Sequence, residues 1–559
     1  MTASSDEFTD FLRFGGAAPP DPFAALKEKV RRNPLDGAAL EELAEAQIAG
    51  GRILDGFATY NTRISLGNVS APTWARIGAA MDRQQEYAQA IACFEQSLSL
   101  EDAPEVRHMM GRALFKLGDV DASVAFHESA AKETGNLAAW LAVATLIPGA
   151  PAATPETILA ARQAFAQVLA NSPLANRMKR APKPRPRTDG PLRVGYVSSW
   201  LEKPNYMRPT WALINNHDRA KVEVHLFSDS AEGAEMIGYE PHPTDVIHTT
   251  GTLDNTQLGK LICKTGLDIL IDINAYSTPE RLGIFTQPVA PICLAWQNHF
   301  APSGLPGFHG IVGDEQSVKP GEERFFNETV HRLPTSYLTF TVAHRAPPVT
   351  DPPCLTKGHI TFGSLCVQYK LTPTVIDAWS EILKGVPGSK LFLANRTLES
   401  GENRVWLTER FAEKGIGTDR LILDGGAEHY DYLKNYDRMD FALDAFPYNG
   451  GTTTVEAIWQ GVPVLTFDGD RWASRTSASL ICYTHLKDFV APSRQAMIDM
   501  AIRLGNDPDT PARLKDMRHG MRDALKDAPV CDGRRMAQSM EALFDRLMDR
   551  QTGPQADPS

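Results

Sequence analysis

Residues 441–480 read FALDAFPYNGGTTTVEAIWQGVPVLTFDGDRWASRTSASL, and their reading decides the fold. The apolar run ending at Asp444 reads as a buried strand. The turn Pro447-Tyr448-Asn449-Gly450-Gly451 follows, then three threonines and a helix containing Glu456. Gly461 to Thr466 is a second apolar strand, and Asp468-Gly469-Asp470 leads to Arg475 and a Ser/Ala-rich helix. Strand, glycine turn, helix and strand in that order make a unit of a parallel sheet. Two glycines let backbone come close to a ligand. Thr452 and Thr453 sit where the first helical N–H groups have no internal partner. Those N–H groups, the hydroxyls and the helix dipole together favour an anion such as a diphosphate. Glu456 lies one helical turn further in, at a reach suited to a ribose hydroxyl.

The rest of the chain sets bounds on this site. A length of 559 residues predicts about three to four domains. With 43% hydrophobic and 22% charged residues, the composition is that of an ordinary soluble globular protein. The net charge of -11 argues against a general nucleic-acid binder. Seven cysteines, none in a CxxC pair, predict reduced thiols in a cytoplasmic protein and give no support for a zinc site. The start, MTASSDEFTDF, lacks a basic segment followed by an apolar core, so no signal peptide is expected. No apolar run is long enough to insert in a membrane.

The first third repeats itself. Ala44, Gly78, Gly111 and Ala144 are spaced by 34, 33 and 33 residues. Tyr60 and Phe94 each lie 16 residues after the small residue of their repeat, and Phe126 lies 15 after its own. A small residue in the first helix of a pair lets the second pack close, and the aromatic fills the gap. Such units bury their faces only by stacking, which predicts a curved solenoid over residues 21–170 with a concave surface for a protein partner. Residues 1–20 are expected to be flexible. Residues 171–190 contain several prolines and basic residues and read as a linker, or as an extended segment lying on the next domain.

Two α/β lobes are expected after the linker, over residues 191–350 and 351–551, with a disordered tail at 552–559. Strands are expected at residues 192–199, 222–228, 267–274 and 290–296 in the first lobe. In the second they fall at 357–362, 390–394 and 421–424, before the opening stretch. Ligands in doubly wound sheets sit beyond the carboxyl ends of the strands.

These residues together resemble the protein O-GlcNAc transferases: tetratricopeptide repeats followed by a two-lobed GT-B glycosyltransferase with Rossmann-like lobes. LRVGYVSS at 192–199, Pro288 to Ile292 with Trp296, FGSLCVQYKL at 362–371, and NGGTTTVEAIWQGVPVLT with Ala473-Ser474-Arg475 carry the resemblance. It implies an inverting, metal-independent enzyme that needs no cofactor beyond its donor. The reaction implied moves a sugar from a UDP- or CMP-linked donor to Ser or Thr of a protein. The repeats would recruit that acceptor, and a homo-oligomer is compatible. The chain is also similar to short-repeat relatives that modify bacterial flagellin, which makes flagellin an expected acceptor. An O-GlcNAc transferase acting on cytosolic proteins, or a repeat-based binding protein with a degenerate transferase lobe, are the alternatives.

Carried over by position, Lys370 matches the lysine that neutralises the leaving phosphate. Asn449, Gly450, Gly451, Thr452 and Thr453 match the phosphate turn, with Gly451 standing where the family has a histidine. Glu456 stands in place of the ribose aspartate, and Ala427, His429 and Tyr432 fall at the base. The departures lie on the acceptor side. The loop after the first strand carries Lys203 and Arg208 rather than histidines, Gln297-Asn298-His299-Phe300 replaces a Gly-Tyr pair, and Arg396 follows another strand end. Lys203, Arg208, Asn298 and Arg396 are therefore the candidates for the sugar or acceptor. His299 is the first candidate for the general base and Asp272 the second. Asp468 and Asp470 are spaced like a metal motif but lie in a loop the family shares, and no metal is expected there.

Overall fold

The computed structural model describes residues 21–179, 182, 190–342 and 344–552, with residues 204–208 and 551–552 described by backbone alone. The expected flexible start, most of the second half of the linker and all but the first residue of the tail lie outside these residues. The chain divides into two compact units, one up to Met109 and one from Met110 onward.

The first unit is built of helical hairpins. Gly37–Ala49 packs on Ile53–Ser65, and Ala71–Arg83 on Tyr87–Leu100. Asp36 and Ser70 cap two of these helices by accepting from the backbone of Ala39 and Thr73. A side chain on Gly78 would meet the Phe94 ring at 2.6 Å, and Tyr60 and Phe94 are fully buried. The small-against-aromatic packing read from the repeat is therefore present.

The second unit begins with more helices, Val120–Thr134, Leu137–Leu146 and Pro155–Asn171. Here one assignment changes. A Cβ on Gly111 would meet the ring of His127 at 2.9 Å; His127 is buried and Phe126 is half-buried. His127 has the offset that Tyr60 and Phe94 have, and that offset sets which side chain faces the partner helix. After Asn171 the chain lies along the first lobe: Asn176 N–H donates to the Gly283 carbonyl at 2.9 Å.

Two parallel sheets follow. The first contains β1 (Leu192–Ser198), β2 (Val222–Ser228), β3 (Val246–Thr249), β4 (Ile269–Asp272), β5 (Ile292–Ala295), β6 (Gly310–Asp314) and β7 (Thr329–Leu333), in the order β3-β2-β1-β4-β5-β6-β7. The second contains β8 (Thr361–Ser364), β9 (Lys390–Ala394), β10 (Leu421–Asp424), β11 (Phe441–Leu443), β12 (Val464–Phe467) and β13 (Val490–Ala491), ordered β10-β9-β8-β11-β12-β13. Strand order reverses between β1 and β4 in one sheet and between β8 and β11 in the other. Each reversal opens a crevice at the carboxyl ends, and the loops after β4, β5, β8 and β11 converge there.

The stretch expected as a strand from residue 357 is instead the end of a short helix, Cys354–Lys357. Gly358 ends it in the left-handed conformation, φ +68°, and β8 begins at Thr361. The second-lobe boundary also changes. Met536, Met540 and Phe544 of the last helix, Gly533–Thr552, pack with Val194 and Trp211 of the first lobe. Glu541 on this helix accepts from His217 Nδ1 at 3.0 Å and from Asp218 N–H at 2.9 Å. The helix covers an apolar face that the first sheet would otherwise expose. No helix among the described residues is long and apolar enough to cross a membrane.

Candidate active site

The turn after β11 is folded back by Asp444. Its buried carboxylate accepts from Gly450 N–H at 3.1 Å and from the Thr466 hydroxyl at 2.7 Å. Asn449 locks the same turn by donating Nδ2 to the Ala445 carbonyl at 2.8 Å and its N–H to Ala473 at 3.0 Å. A Cβ on Gly450 would lie 2.4 Å from Thr453 Oγ1 and 2.7 Å from Thr454 Oγ1, so any side chain here must push these hydroxyls aside. At Gly451 the nearest atom would be 3.9 Å away; that side is open. The helix Thr452–Trp459 starts here. Thr454 is committed to Ser477, at 2.8 Å. Thr452 and Thr453 line a cavity of about 390 Å³.

Lys370 reaches the same cavity from the turn after β8. Its Nζ donates to the Asn449 carbonyl at 2.6 Å and lies 4.1 Å from the centre of the Tyr448 ring. Burial pushes its pKa below the ordinary lysine range, with Cys366 and Asp444 opposing the shift. A cation short of a full anionic partner, beside a helix N-terminus, is a place where a phosphate gains both.

Tyr432 carries its ring to the cavity wall. Beside it, His429 Nε2 lies 3.0 Å from Glu456 Oε1, and the His344 ring lies 4.6 Å from that of His429. Glu456 is buried and Ala427 exposed, and neither is part of the cavity wall.

On the other wall the structure departs from expectation. His299 does not face the cleft: it is 0% exposed, with Nε2 2.7 Å from Asp272 Oδ2 and its ring edge against Phe308. Asp272 is itself 2% exposed and also accepts from Ala275 N–H at 3.0 Å. Neither residue touches the cavity. In the loop after β5, Gln297, Asn298 and Phe300 line the cavity while His299 turns inward. Gln297 enters this loop with φ +61° and Ala275 leaves the neighbouring one with φ +50°. Such left-handed residues persist only where their surroundings hold them, and the buried His299–Asp272 pair lies between them. Asn298 is fastened by Nδ2 to the Ile273 carbonyl at 2.9 Å.

The remaining candidates are dispersed. Lys203 is exposed and lies 4.8 Å from the Trp200 ring. Arg396 is exposed beyond β9 and lies away from the cavity wall. The Arg208 side chain lies outside the described residues. Asp468 is paired with Lys319 at 3.2 Å and Asp470 with Arg471 at 2.7 Å, so each carboxylate has a cation already.

A second cavity, of about 540 Å³, meets the first at Lys370, Asn298, Phe300, Tyr369 and Tyr448. Three residues that shape this region were not singled out from the sequence as functional: Tyr448, Asp444 and Arg162. Asp444 and Tyr448 stand inside the opening stretch and were within reach of a closer reading. Arg162 gave no signal, being one charge in a repeat helix. Yet it is 2% exposed, donates to the carbonyls of Ala301 at 3.2 Å and Pro302 at 2.7 Å, and lies 4.1 Å from the Tyr276 ring. It ties the last repeat-side helix to the loop that carries Asn298.

Comparison with known proteins places this geometry. Residues 159–346 and 353–540 match Glycosyl transferase family 41. The barley (Hordeum vulgare) protein named probable UDP-N-acetylglucosamine–peptide N-acetylglucosaminyltransferase SPINDLY is 28% identical over 370 residues, 65% of this chain and 39% of that protein. SEC of Arabidopsis thaliana, with the same activity in its name, is 26% identical over 371 residues, 64% of this chain and 37% of that one. The chain thus spans less than half the length of these curated relatives. A mutant of the Thermobaculum terrenum O-GlcNAc transferase shares the fold, with a TM-score of 0.75 at 23% identity over 96% of this chain and 100% of that chain. With a family match over more than half its length, the chain belongs to glycosyl transferase family 41.

Proposed function

We propose that this chain transfers a sugar from a UDP-linked donor to a Ser or Thr hydroxyl of a protein. The observation that carries this is the meeting of two cavities at Lys370, one of them ending at the open N-terminus of the helix Thr452–Trp459. The relatives' names, which give UDP-N-acetylglucosamine as donor and peptide as acceptor, support the same reading. The donor phosphates sit between Lys370, Thr452 and Thr453, and the base stacks on Tyr432. Glu456, 3.0 Å from His429, lies behind the cavity wall and not on it, so it supports the base side without touching the donor.

In the transfer the acceptor oxygen bonds to the anomeric carbon as the bond from that carbon to the phosphate oxygen breaks. Lys370 and the helix terminus take up the negative charge that develops on the leaving group. Among the described residues, neither cavity is lined by a carboxylate or an imidazole. The acceptor proton therefore passes to a phosphate oxygen of the donor itself. Asn298, at the junction, orients the sugar or the hydroxyl.

Donor binding is the first test. UDP should raise the melting temperature of the full chain, since a ligand that binds only the folded state stabilises it. Thr453→Val should weaken UDP binding about tenfold, as expected for losing one hydrogen bond to a charged group. An unchanged affinity would remove the phosphate from the helix terminus. No thermal shift with UDP would refute the proposed donor.

A further inference from the structure

The larger cavity has a wall of uncommon composition. Phe115, Trp200, Phe300, Tyr369 and Tyr448 all line it, and each is only half-buried. Four of these rings are held by stacking: Phe115 on Tyr369 with centroids 4.6 Å apart, and Phe300 on Tyr448 at 4.8 Å. Tyr369 and Tyr448 lie 6.3 Å apart and join the two pairs into one wall. Among the described residues, the charged side chains on the lining are Lys116 and Lys370, with no carboxylate. Fixed aromatic faces left partly in water gain free energy when an apolar group covers them. The volume of about 540 Å³ falls in the range of cavities that enclose a ligand.

The occupant follows from where this chamber leads. It shares Lys370, Asn298 and Tyr448 with the donor cavity, so a chain segment presenting a hydroxyl at Lys370 must lay its neighbouring side chains against these rings. We infer that this wall selects acceptor segments in which the modified Ser or Thr is flanked by aromatic or large aliphatic residues, and rejects segments with Lys or Arg beside it. This deepens the transfer reaction proposed above and rests on it. Rejection has a simple cause: the Tyr448 and Trp200 rings already carry Lys370 and Lys203, so a flanking cation would meet lysines and, among the described lining residues, no carboxylate. Apolar flanks instead replace water on both partners. The stacked rings are already ordered, so little side-chain entropy is lost on closure.

The test reads binding and does not depend on turnover. Fluorescently labelled heptapeptides with one central Thr, flanked on both sides by Phe, Leu or Lys, are titrated into the full chain in the presence of UDP and followed by anisotropy. The Phe and Leu peptides should bind at least about tenfold more tightly than the Lys peptide, the discrimination a hydrophobic pocket supplies. Phe115→Ala and Trp200→Ala should each reduce that ratio, and either variant suffices if the other misfolds. Equal binding by all peptides, tighter binding of the Lys peptide, no binding by any of them, or a ratio untouched by both variants would overturn the inference. Incubating the same peptides with UDP-N-acetylglucosamine and weighing them separates the two claims. Selective binding without mass gain counts against the proposed reaction, and mass gain without selectivity counts against the inference alone.

Discussion

Lys370 and His299 stand in equivalent places, each on the loop that leaves the carboxyl end of a parallel strand near a reversal of strand order. The lysine opens onto the cavity, with its Nζ 2.6 Å from the Asn449 carbonyl. The histidine is sealed, 2.7 Å from a buried aspartate. The strand-end rule brought both residues to the cleft. It does not say which side of the loop a side chain takes, and that one-residue choice separates a group able to touch the substrate from one that supports the wall.

Breaking the comparison starts with Lys370→Ala. Removing a charge-stabilising group of this kind lowers kcat about 10²–10³-fold. The far-UV circular dichroism and urea midpoint should stay close to those of the parent, because the group lost is a cation whose burial already disfavours its charge. His299→Ala should do the reverse. It leaves a buried carboxylate short of a partner and costs about 1–3 kcal/mol of stability, read from urea unfolding. The folded fraction should retain far more turnover than the lysine variant. A His299 variant as stable as the parent but as inactive as Lys370→Ala would return the histidine to the chemistry.

The legibility of the chain follows the same division. The glycine–threonine turn was readable because its meaning is local: a strand, two glycines and a run of threonines specify a helix terminus, whereas Lys370 came only by position from the family resemblance. The strands with continuous apolar runs, β1, β2, β4 and β5, were readable for the same reason. β3 was not, since its residues are largely exposed, and β6 was hidden by the two glycines in Gly310–Asp314. Contacts between distant segments left no local mark. Arg162 reaching Pro302, and Met536 to Phe544 returning to the first sheet, depend on tertiary packing alone. The repeat misled by one residue, naming Phe126 for its aromatic character where His127 holds the position.

Smaller effects sharpen the donor side. Gly450→Ala should weaken UDP binding, since its methyl group would collide with the Thr453 and Thr454 hydroxyls. Gly451→Ala should leave binding within about twofold, because the nearest atom to its Cβ would be 3.9 Å away. Equal losses at the two glycines would mean that the turn responds to chain stiffness and not to the space in front of the threonines.

The central claim is that Lys370 waits for a phosphate. Burial holds its pKa down, and a bound diphosphate would raise it by supplying an anion. Below the lowered value the lysine is protonated both free and bound, so binding takes up no proton. Between the free and bound values binding draws one proton, and affinity falls as pH rises through that window. Titration calorimetry of UDP, repeated across pH and in two buffers of different ionisation enthalpy, measures that proton directly. Above the second ionisation of the UDP phosphate, at about pH 6, the account predicts proton uptake that grows with pH in the parent, and neither uptake nor a pH-dependent affinity in Lys370→Met. Uptake that persists in the variant, or UDP binding with parental affinity in it, would contradict the account.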